Sequence, residues 1–198
     1  MHNPWPLHVM YLKRLLHYLK HTSDLSLTYK YNPSNFCLLG YSHADWGGDP
    51  STFQSTSGYL FLLADGAVSW QSKKQTRVTL SFTEAEYSSM TLAIKEGICL
   101  NTFLKGSTLL IPPPISLYCD NQSAILLAQN VKHSEKTKNI AIKLQFIREL
   151  VQEGSIKLIH VQTEQEWADF LTKSVPKAKH LESCTHTGLR SLQSSSSI

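Results

Sequence analysis

Several acidic residues of this chain stand where a fold could bring them together. Asp120 directly follows the apolar stretch 115–119, which three prolines at 112–114 separate from the preceding chain. The density of apolar residues predicts a strand that is buried on both faces. Ligands of sheet-and-helix proteins gather beyond the carboxyl ends of strands, so Asp120 lies where chemistry tends to occur. The alternative is that Asp120 or Asn121 only caps the helix predicted to follow.

Glu86 stands at the start of a long predicted helix. The pattern Thr83-x-x-Glu86 predicts a capping box, in which Glu86 only reaches back to the cap. Glu86 nevertheless heads a helical stripe of small and apolar residues that should face the sheet, namely Met90, Ala93 and Gly97. A carboxylate on a buried face is costly unless it is paired or binds a metal.

Two further acids complete the set. Asp45 ends a strand predicted over 36–45, and Asp169 lies in a helix predicted to begin with a second capping box, Thr163-x-x-Glu166. For Asp169 the alternative is an i,i+4 ion pair with Lys173. Together the acids predict a cluster of carboxylates that needs a cation to be stable. Hard oxygen ligands of this kind suit Mg²⁺ or Mn²⁺.

The elements that must position these side chains follow from periodicity and turn signals. The predicted order is three antiparallel strands, a helix, a strand, one or two helices, a strand and a final helix, preceded by a separate amphipathic helix at 8–20. The strands are predicted over 36–45, 58–63, 67–71, 115–119 and 155–161, with a hairpin turn at 64–66. The later helices are predicted from 83, from 122, over 140–152 and from 163.

Composition limits the class of protein. With 198 residues, 41% of them apolar and 17% charged, the chain is long enough for one full core. No apolar run approaches the roughly 18 residues that span a bilayer, and residues 1–6 lack the pattern of a signal peptide. The four cysteines are scattered, which argues against a disulfide framework or a cysteine-based zinc site. A net charge of +4 permits a polyanionic partner.

Seven segments carry a resemblance to a known family. They are Tyr41-Ser-His-Ala-Asp-Trp-Gly-Gly-Asp-Pro50, Ser55-Thr-Ser-Gly-Tyr59, Ala67-Val-Ser-Trp-Gln-Ser-Lys-Lys-Gln75, Ser81-Phe-Thr-Glu-Ala-Glu-Tyr87, Leu117-Tyr-Cys-Asp-Asn-Gln-Ser-Ala124, Phe146-Ile-Arg-Glu-Leu150 and Ala168-Asp-Phe-Leu-Thr-Lys173. In this order they closely resemble the ribonuclease H domain of copia-type LTR retrotransposon Pol polyproteins. The match runs from about residue 36 to 173. The resemblance implies an α/β ribonuclease H-like fold with a mixed five-stranded sheet, in which an antiparallel meander of three strands is followed by parallel strands, flanked by helices.

The resemblance also implies a domain organisation. Residues 1–32 are expected to be a remnant of the C-terminal helix of a reverse transcriptase region, and residues 33–176 to form the ribonuclease H-like domain. Residues 177–198 are polar and rich in serine, which predicts a disordered tail. The chain is accordingly expected to be a truncated C-terminal fragment of a Pol polyprotein.

The activity implied by the resemblance is hydrolysis of the RNA strand of an RNA–DNA hybrid by two Mg²⁺ ions that four carboxylates hold; Mn²⁺ is the alternative ion. Glu86, Asp120 and Asp169 match three of those carboxylates. The family pattern Tyr-Ser-Asp-Ala-Asp-Trp places the fourth where this chain has His43. Asp45 is a candidate substitute on the same strand face, but roughly 6.6 Å of strand rise separates residues 43 and 45. We therefore expect Mg²⁺-dependent hydrolysis to be strongly impaired and Mn²⁺ to be better tolerated; the alternative is an inactive nucleic-acid-binding relic.

The partners implied are an RNA–DNA hybrid and the reverse transcriptase region of a full-length element, with no membrane. The expected location is intracellular, either in the cytoplasm within a virus-like particle or in the nucleus. Basic residues flanking the long helix and the strand at 115–119 are candidates for phosphate contacts, although each is as well explained as a solvated surface charge. They are Lys73, Lys74, Arg77, Lys132, Lys136 and Lys138.

Overall fold

A five-stranded mixed sheet carries the fold, with helices on its faces. The computed structural model describes residues 3–32, 36–107, 114–129 and 141–191. Its strands are β1 (Leu25–Leu27), β2 (Leu39–Ala44), β3 (Thr56–Leu63), β4 (Gly66–Lys74), β5 (Ile115–Cys119), β6 (Ile156–His160) and β7 (Leu189–Ser191). Its α-helices are α1 (Pro6–His21), α2 (Phe82–Lys105), α3 (Gln122–Gln129), α4 (Ala141–Gln152) and α5 (Lys177–His186).

The strand order of the main sheet is β4-β3-β2-β5-β6. β2, β3 and β4 form an antiparallel meander, whereas β5 pairs parallel with both β2 and β6. The β3–β4 hairpin turns at Ala64 and Asp65, whose φ angles of 52° and 60° are those of the primed turns that match strand twist. The predicted mixed sheet and the predicted hairpin are confirmed.

Helix α2 packs across β2 and β3 and encloses the main core. The predicted stripe is confirmed, since Glu86, Met90 and Ala93 have no exposed surface. Gly97 lies against the ring of Phe61, which is only 3.0 Å from where a Cβ at residue 97 would stand. The small residue therefore allows the helix to approach the sheet closely. The carboxyl ends of β2 and β5 lie beside the N-terminal part of this helix, where Ala44 and Cys119 contact Glu86.

The helix predicted from residue 163 is absent. This segment forms two short 3-10 turns, Thr163–Gln165 and Asp169–Leu171. Glu166 does not reach back as a capping box requires, because its buried carboxylate accepts a hydrogen bond from the amide of Ala168 at 3.0 Å. The second turn also packs onto β3, where Gly58 leaves space for Thr172. Tertiary contacts therefore override the helical sequence pattern.

The prediction of a disordered tail is wrong for residues 177–191. They form α5 and β7, and β7 pairs antiparallel with β1 from the N-terminal segment. Thr28 and Gly188 extend this pairing through a backbone hydrogen bond of 2.9 Å, and Gly188 has the positive φ of 87° that favours glycine. Strands of three residues leave no periodicity to detect. Residues 192–198 lie outside the described residues.

Helix α1 has no buried residue and presents a broad apolar surface to solvent. Its C-terminal end meets the rest of the chain where the hydroxyl of Tyr18 lies 3.3 Å from Nε2 of His180. Within the described ranges, no helix combines the length and the apolar character needed to cross a bilayer.

Candidate active site

His43 lies near the carboxyl end of β2 and is only 3% exposed. Its Nδ1 atom is 2.9 Å from the hydroxyl of Thr172, and its Nε2 atom is 3.2 Å from a carboxylate oxygen of Asp169 and 3.4 Å from the ammonium of Lys173. Burial lowers the pKa of His43, although the charge of Asp169 opposes this. The side chain is therefore a neutral imidazole near pH 7.

Asp120 follows β5, and its carboxylate lies at the edge of the sheet where β2 and β5 have their carboxyl ends, which we call the tip of the sheet. The predicted cap is formed by Asn121, whose side-chain oxygen accepts from the amide of Ala124 at 2.9 Å. Asp120 is therefore not needed as a cap. Its Oδ2 atom accepts from the hydroxyl of Thr163 at 3.0 Å, whereas its buried Oδ1 atom has no hydrogen-bond partner within the described part of the chain. Such an oxygen is costly unless a ligand completes it.

Asp169 begins the second 3-10 turn and is 4% exposed. The predicted i,i+4 ion pair is confirmed, with Lys173 Nζ 2.9 Å from Asp169 Oδ1. The pairing does not exclude a role in the site, because one ligand atom each from His43, Asp120 and Asp169 lie within 4.8 Å of one another. This is a spacing at which three side chains could hold one metal ion.

Glu86 lies near this group, but its carboxylate is not one of the three ligands that lie within 4.8 Å of one another. Helix α2 begins two residues earlier than the capping-box prediction required: Ser81 is the N-cap, and its hydroxyl accepts from the amide of Glu84 at 3.1 Å. The predicted cap at Thr83 with Glu86 is thus wrong. Glu86 instead accepts a 3.3 Å hydrogen bond from the amide of Ala44. Burial, and then the charge of Asp120, raise the pKa of Glu86 to about 8.

Glu166 is an acidic residue near the site that the sequence reasoning assigned only to a cap. It is fully buried, and its Oε2 atom has no hydrogen-bond partner among the described residues. Burial raises its pKa well above the usual range, and the charge of Asp120 adds to this. The available signal was an acid set three residues before Asp169 between residues that pack inward, such as Ala168.

Asp45 lies just past the end of β2. Its carboxylate accepts a hydrogen bond from the amide of Thr56 across the β2–β3 connection. This bond directs it toward the loop, and the group of three ligand atoms does not include it. The structure therefore separates the candidate substitute from the position that it would have to fill.

A basic groove of about 360 Å³ lies between the β4–α2 connection, α2 and α4. The predicted residues Lys73, Lys74 and Arg77 line it together with two that the sequence reasoning missed, Lys95 and Lys143. Burial lowers the pKa of Lys143, and the nearby positive charges add to this. Helical residues that meet only in the folded chain gave no local signal. The other predicted contacts, Lys132, Lys136 and Lys138, lie outside the described residues.

The donor set does not fit a pair of Mg²⁺ ions. Mg²⁺ demands oxygen ligands in near-octahedral geometry, whereas His43 offers one nitrogen lone pair and no negative charge. The ammonium of Lys173 also lies against Asp169. A neutral imidazole cannot bridge two cations as a carboxylate can, so residue 43 would not supply the bridging negative charge that a pair of ions would need.

The sheet order, the helix across its meander and the acids at the strand ends define a ribonuclease H-like domain. LC11-RNase H1, isolated from compost, superposes with a TM-score of 0.55 at 16% identity, over 70% of this chain and 94% of that one. The crystal structure of LC11-RNase H1 in complex with an RNA/DNA hybrid gives a TM-score of 0.51 at 15% identity, over 68% and 93%. At these identities the likeness establishes the fold.

The sequence relatives identify the family. No known family profile matches the chain. It is 41% identical over 179 residues to the retrovirus-related Pol polyprotein from transposon TNT 1-94 of Nicotiana tabacum, and 40% identical over 179 residues to that from transposon RE1 of Arabidopsis thaliana. These matches cover 90% and 89% of this chain but only 13% and 12% of the relatives. The chain belongs to the Pol polyproteins of copia-type retrotransposons.

Proposed function

We propose that this chain is a ribonuclease H-type domain that binds RNA–DNA hybrids, and that its Mg²⁺-dependent cleavage of the RNA strand is impaired by His43. The proposal rests on the position of the His43 imidazole, which is buried between Asp169 and Thr172 beside the acids at the carboxyl ends of the strands. Glu86, Asp120 and Asp169 are the proposed metal-binding carboxylates of this site. Because the imidazole replaces a charged oxygen ligand, the site has too little negative charge for two ions.

The basic groove supports binding of the hybrid. Cationic side chains converge there from β4, the β4–α2 connection, α2 and α4, and Glu84 is the acid among the described lining residues. The cations are Lys73, Lys74, Arg77, Lys95 and Lys143. A cationic groove of this size suits the phosphates of one strand, and the A-like shape of a hybrid is recognised through its backbone and 2′-hydroxyls. The related fold of LC11-RNase H1, which has been crystallised with an RNA/DNA hybrid, supports the same choice of ligand.

The buried acids have a second proposed role. Glu86 holds the end of β2 through the amide of Ala44, and Glu166 holds the turn that presents Asp169 through the amide of Ala168. Burial raises the pKa of both carboxyl groups, that of Glu86 to about 8, and so favours their uncharged forms. Their hydrogen bonds keep His43 and Asp169 in place.

The test is hybrid cleavage by the wild type and by His43→Asp, scanned over Mg²⁺ and Mn²⁺, with His43→Asn as a matched uncharged control. We expect weak cleavage by the wild type, less impaired in Mn²⁺ than in Mg²⁺. His43→Asp should restore cleavage, and His43→Asn should not. Equal cleavage by the wild type and His43→Asp would show that residue 43 is not a ligand position.

A second candidate function is a non-catalytic nucleic-acid-binding module. The observation that favours it is the pairing of the site with Lys173, which neutralises Asp169 without any metal ion. Hybrid binding by fluorescence anisotropy decides between the two. Salt-dependent binding together with no cleavage, even by His43→Asp, would favour the binding module.

The reverse transcriptase region of a longer polyprotein is a proposed partner. Helix α1 exposes large apolar side chains along its length, including Leu12, Leu15 and Leu16, which are each more than half exposed. A contiguous apolar face of this kind is typical of an interaction surface. An intracellular location, cytoplasmic or nuclear, remains a prediction from the family resemblance.

A further inference from the structure

The tip of the sheet is a better match to one nitrogen-preferring metal ion than to two Mg²⁺ ions. One ligand atom each from His43, Asp120 and Asp169 lie within 4.8 Å of one another, and His43 Nε2 is 3.2 Å from Asp169 Oδ1. Ligands of a tetrahedral Zn²⁺ ion with bonds of about 2.0–2.2 Å stand about 3.4 Å apart. One pair already has this separation, and Asp120 needs to move by little more than about 1 Å.

The hydrogen bonds around His43 prepare its Nε2 atom to be a ligand. The hydroxyl of Thr172 donates its hydrogen to the backbone carbonyl of Asp169 at 3.0 Å. Its oxygen therefore accepts from Nδ1–H of His43 at 2.9 Å. In this tautomer the Nε2 lone pair points to the tip. Metal-binding histidines are typically oriented in this way by a partner on the opposite ring nitrogen.

A cation already lies beside two of the three ligand side chains, those of His43 and Asp169. With a lone pair on Nε2 of His43, its 3.2 Å approach to the Asp169 carboxylate has no proton to share. The Lys173 ammonium lies against both atoms, 2.9 Å from Asp169 Oδ1 in an ion pair and 3.4 Å from His43 Nε2. Its side chain is 41% exposed, so it can swing into solvent when another cation arrives. Asp120 provides the third ligand side chain, and its buried Oδ1 atom has no hydrogen-bond partner in the described residues.

We propose that His43, Asp120 and Asp169 bind a single transition-metal ion of the Zn²⁺ class, which displaces the ammonium of Lys173. One imidazole and two carboxylates are ligands that Zn²⁺ accepts, and two carboxylates balance its charge. Three protein ligands leave a fourth position open, as in zinc sites that hold a water. The inference is independent of the proposed function, because it concerns metal binding without nucleic acid.

The test is titration of the metal-free protein with Zn²⁺ by calorimetry and with Co²⁺ by visible absorption, which reports four- or five-coordinate geometry. We expect one site per chain, abolished in His43→Ala and in Asp169→Asn. Thr172→Val removes only the partner of Nδ1 and should weaken binding by roughly 10–100-fold. Lys173→Met removes the competing ammonium and should tighten it. Circular dichroism checks that each variant is folded.

A surface site provides the control. His17 and His21 lie one turn apart on α1 with ring centroids 6.4 Å apart, a spacing at which two imidazoles can share an ion. His17→Ala should leave the proposed site unchanged. Binding that disappears in His17→Ala but survives in His43→Ala would place the ion on α1 and overturn the proposal. So would a wild type that gives no saturable change in the Co²⁺ spectrum. Failure of hybrid cleavage in the earlier assay would not affect this result.

Discussion

Glu86 makes the stability of this domain dependent on pH in a direction opposite to that of an ordinary salt-bridged carboxylate. The side chain is fully buried, and among the described residues it accepts hydrogen bonds from the amide of Ala44 at 3.3 Å and the thiol of Cys119 at 3.8 Å. Burial raises its pKa from 4.5 to about 8. Between these two values the folded protein holds a proton that the unfolded chain releases. The stability that comes from protonated Glu86 is therefore fully present below pH 4.5 and is lost as the pH rises through about 8.

Replacing Glu86 with glutamine fixes the uncharged state. At about 1.36 kcal/mol per pKa unit, the shift corresponds to a loss of stability on the order of 4 kcal/mol between low pH and pH 8. Glutamine keeps an oxygen for the amide of Ala44 and changes the side-chain volume little. Without divalent metal, Glu86→Gln should therefore raise the free energy of unfolding at pH 8 by a few kcal/mol. At pH 5 the gain should be at most roughly 1 kcal/mol.

The assay is chemical denaturation of both proteins at pH 5 and pH 8 in the presence of a chelator, so that no metal ion neutralises the site. Glu149 is an exposed glutamate on α4, and Glu149→Gln is the matched control that should not alter the pH dependence. Parallel stability profiles for the wild type and Glu86→Gln would refute the reasoning. They would mean that Glu86 is solvated or already paired in the folded protein.

Two further predictions concern the turn that carries Asp169 and the basic groove. Gly58→Ala would place a Cβ 2.7 Å from a methyl group of Thr172. It should lower the free energy of unfolding by about 1–3 kcal/mol, measured by thermal unfolding, and should weaken metal binding. In the control Gly106→Ala the new Cβ has no contact under 3.4 Å, so neither stability nor metal binding should change. Unchanged metal binding in Gly58→Ala would show that the turn does not depend on this packing. Alanine substitutions in the groove should make hybrid binding less dependent on salt. The slope of log binding constant against log salt concentration should become shallower by roughly one unit for each phosphate that is no longer neutralised. A slope equal to that of the wild type would count against the groove. The substitutions are Lys73→Ala, Lys74→Ala and Arg77→Ala, with Lys105→Ala at the far end of α2 as the control.

The sheet was predictable because its signals are local. Alternating or continuous apolar runs and the hairpin at 64–66 give the five strands directly, and the long stripe through Met90 and Ala93 gives the face of α2 that packs on them. Asp120 was found because an acid directly follows a buried strand. The pairing of β1 with β7 was not predictable, since it joins two three-residue segments more than 160 residues apart.

The sequence named His43, Asp120 and Asp169, which the structure brings within 4.8 Å of one another, but it did not give the contacts that surround them. Capping boxes share a residue pattern, and the sequence alone did not show that Ser81 rather than Thr83 caps α2. That one difference frees Glu86 to face the sheet. Glu166 was missed for the same reason, since its pattern fits a cap while its carboxylate is buried against Ala168. Which acids meet depends on tertiary packing of irregular turns, and local propensity carries no information about it.

The most direct test compares the rates of hybrid cleavage by His43→Asp and by the wild type. Both rates are measured in Mg²⁺ under single-turnover conditions, with each protein saturating the substrate. We predict an increase of at least roughly 100-fold, equivalent to about 2.7 kcal/mol of transition-state stabilisation. The increase should disappear again in the double variant with Asp169→Asn, which removes a second ligand of the same centre. A rate unchanged by His43→Asp, or a gain that survives Asp169→Asn, would contradict the claim that these side chains form one metal site.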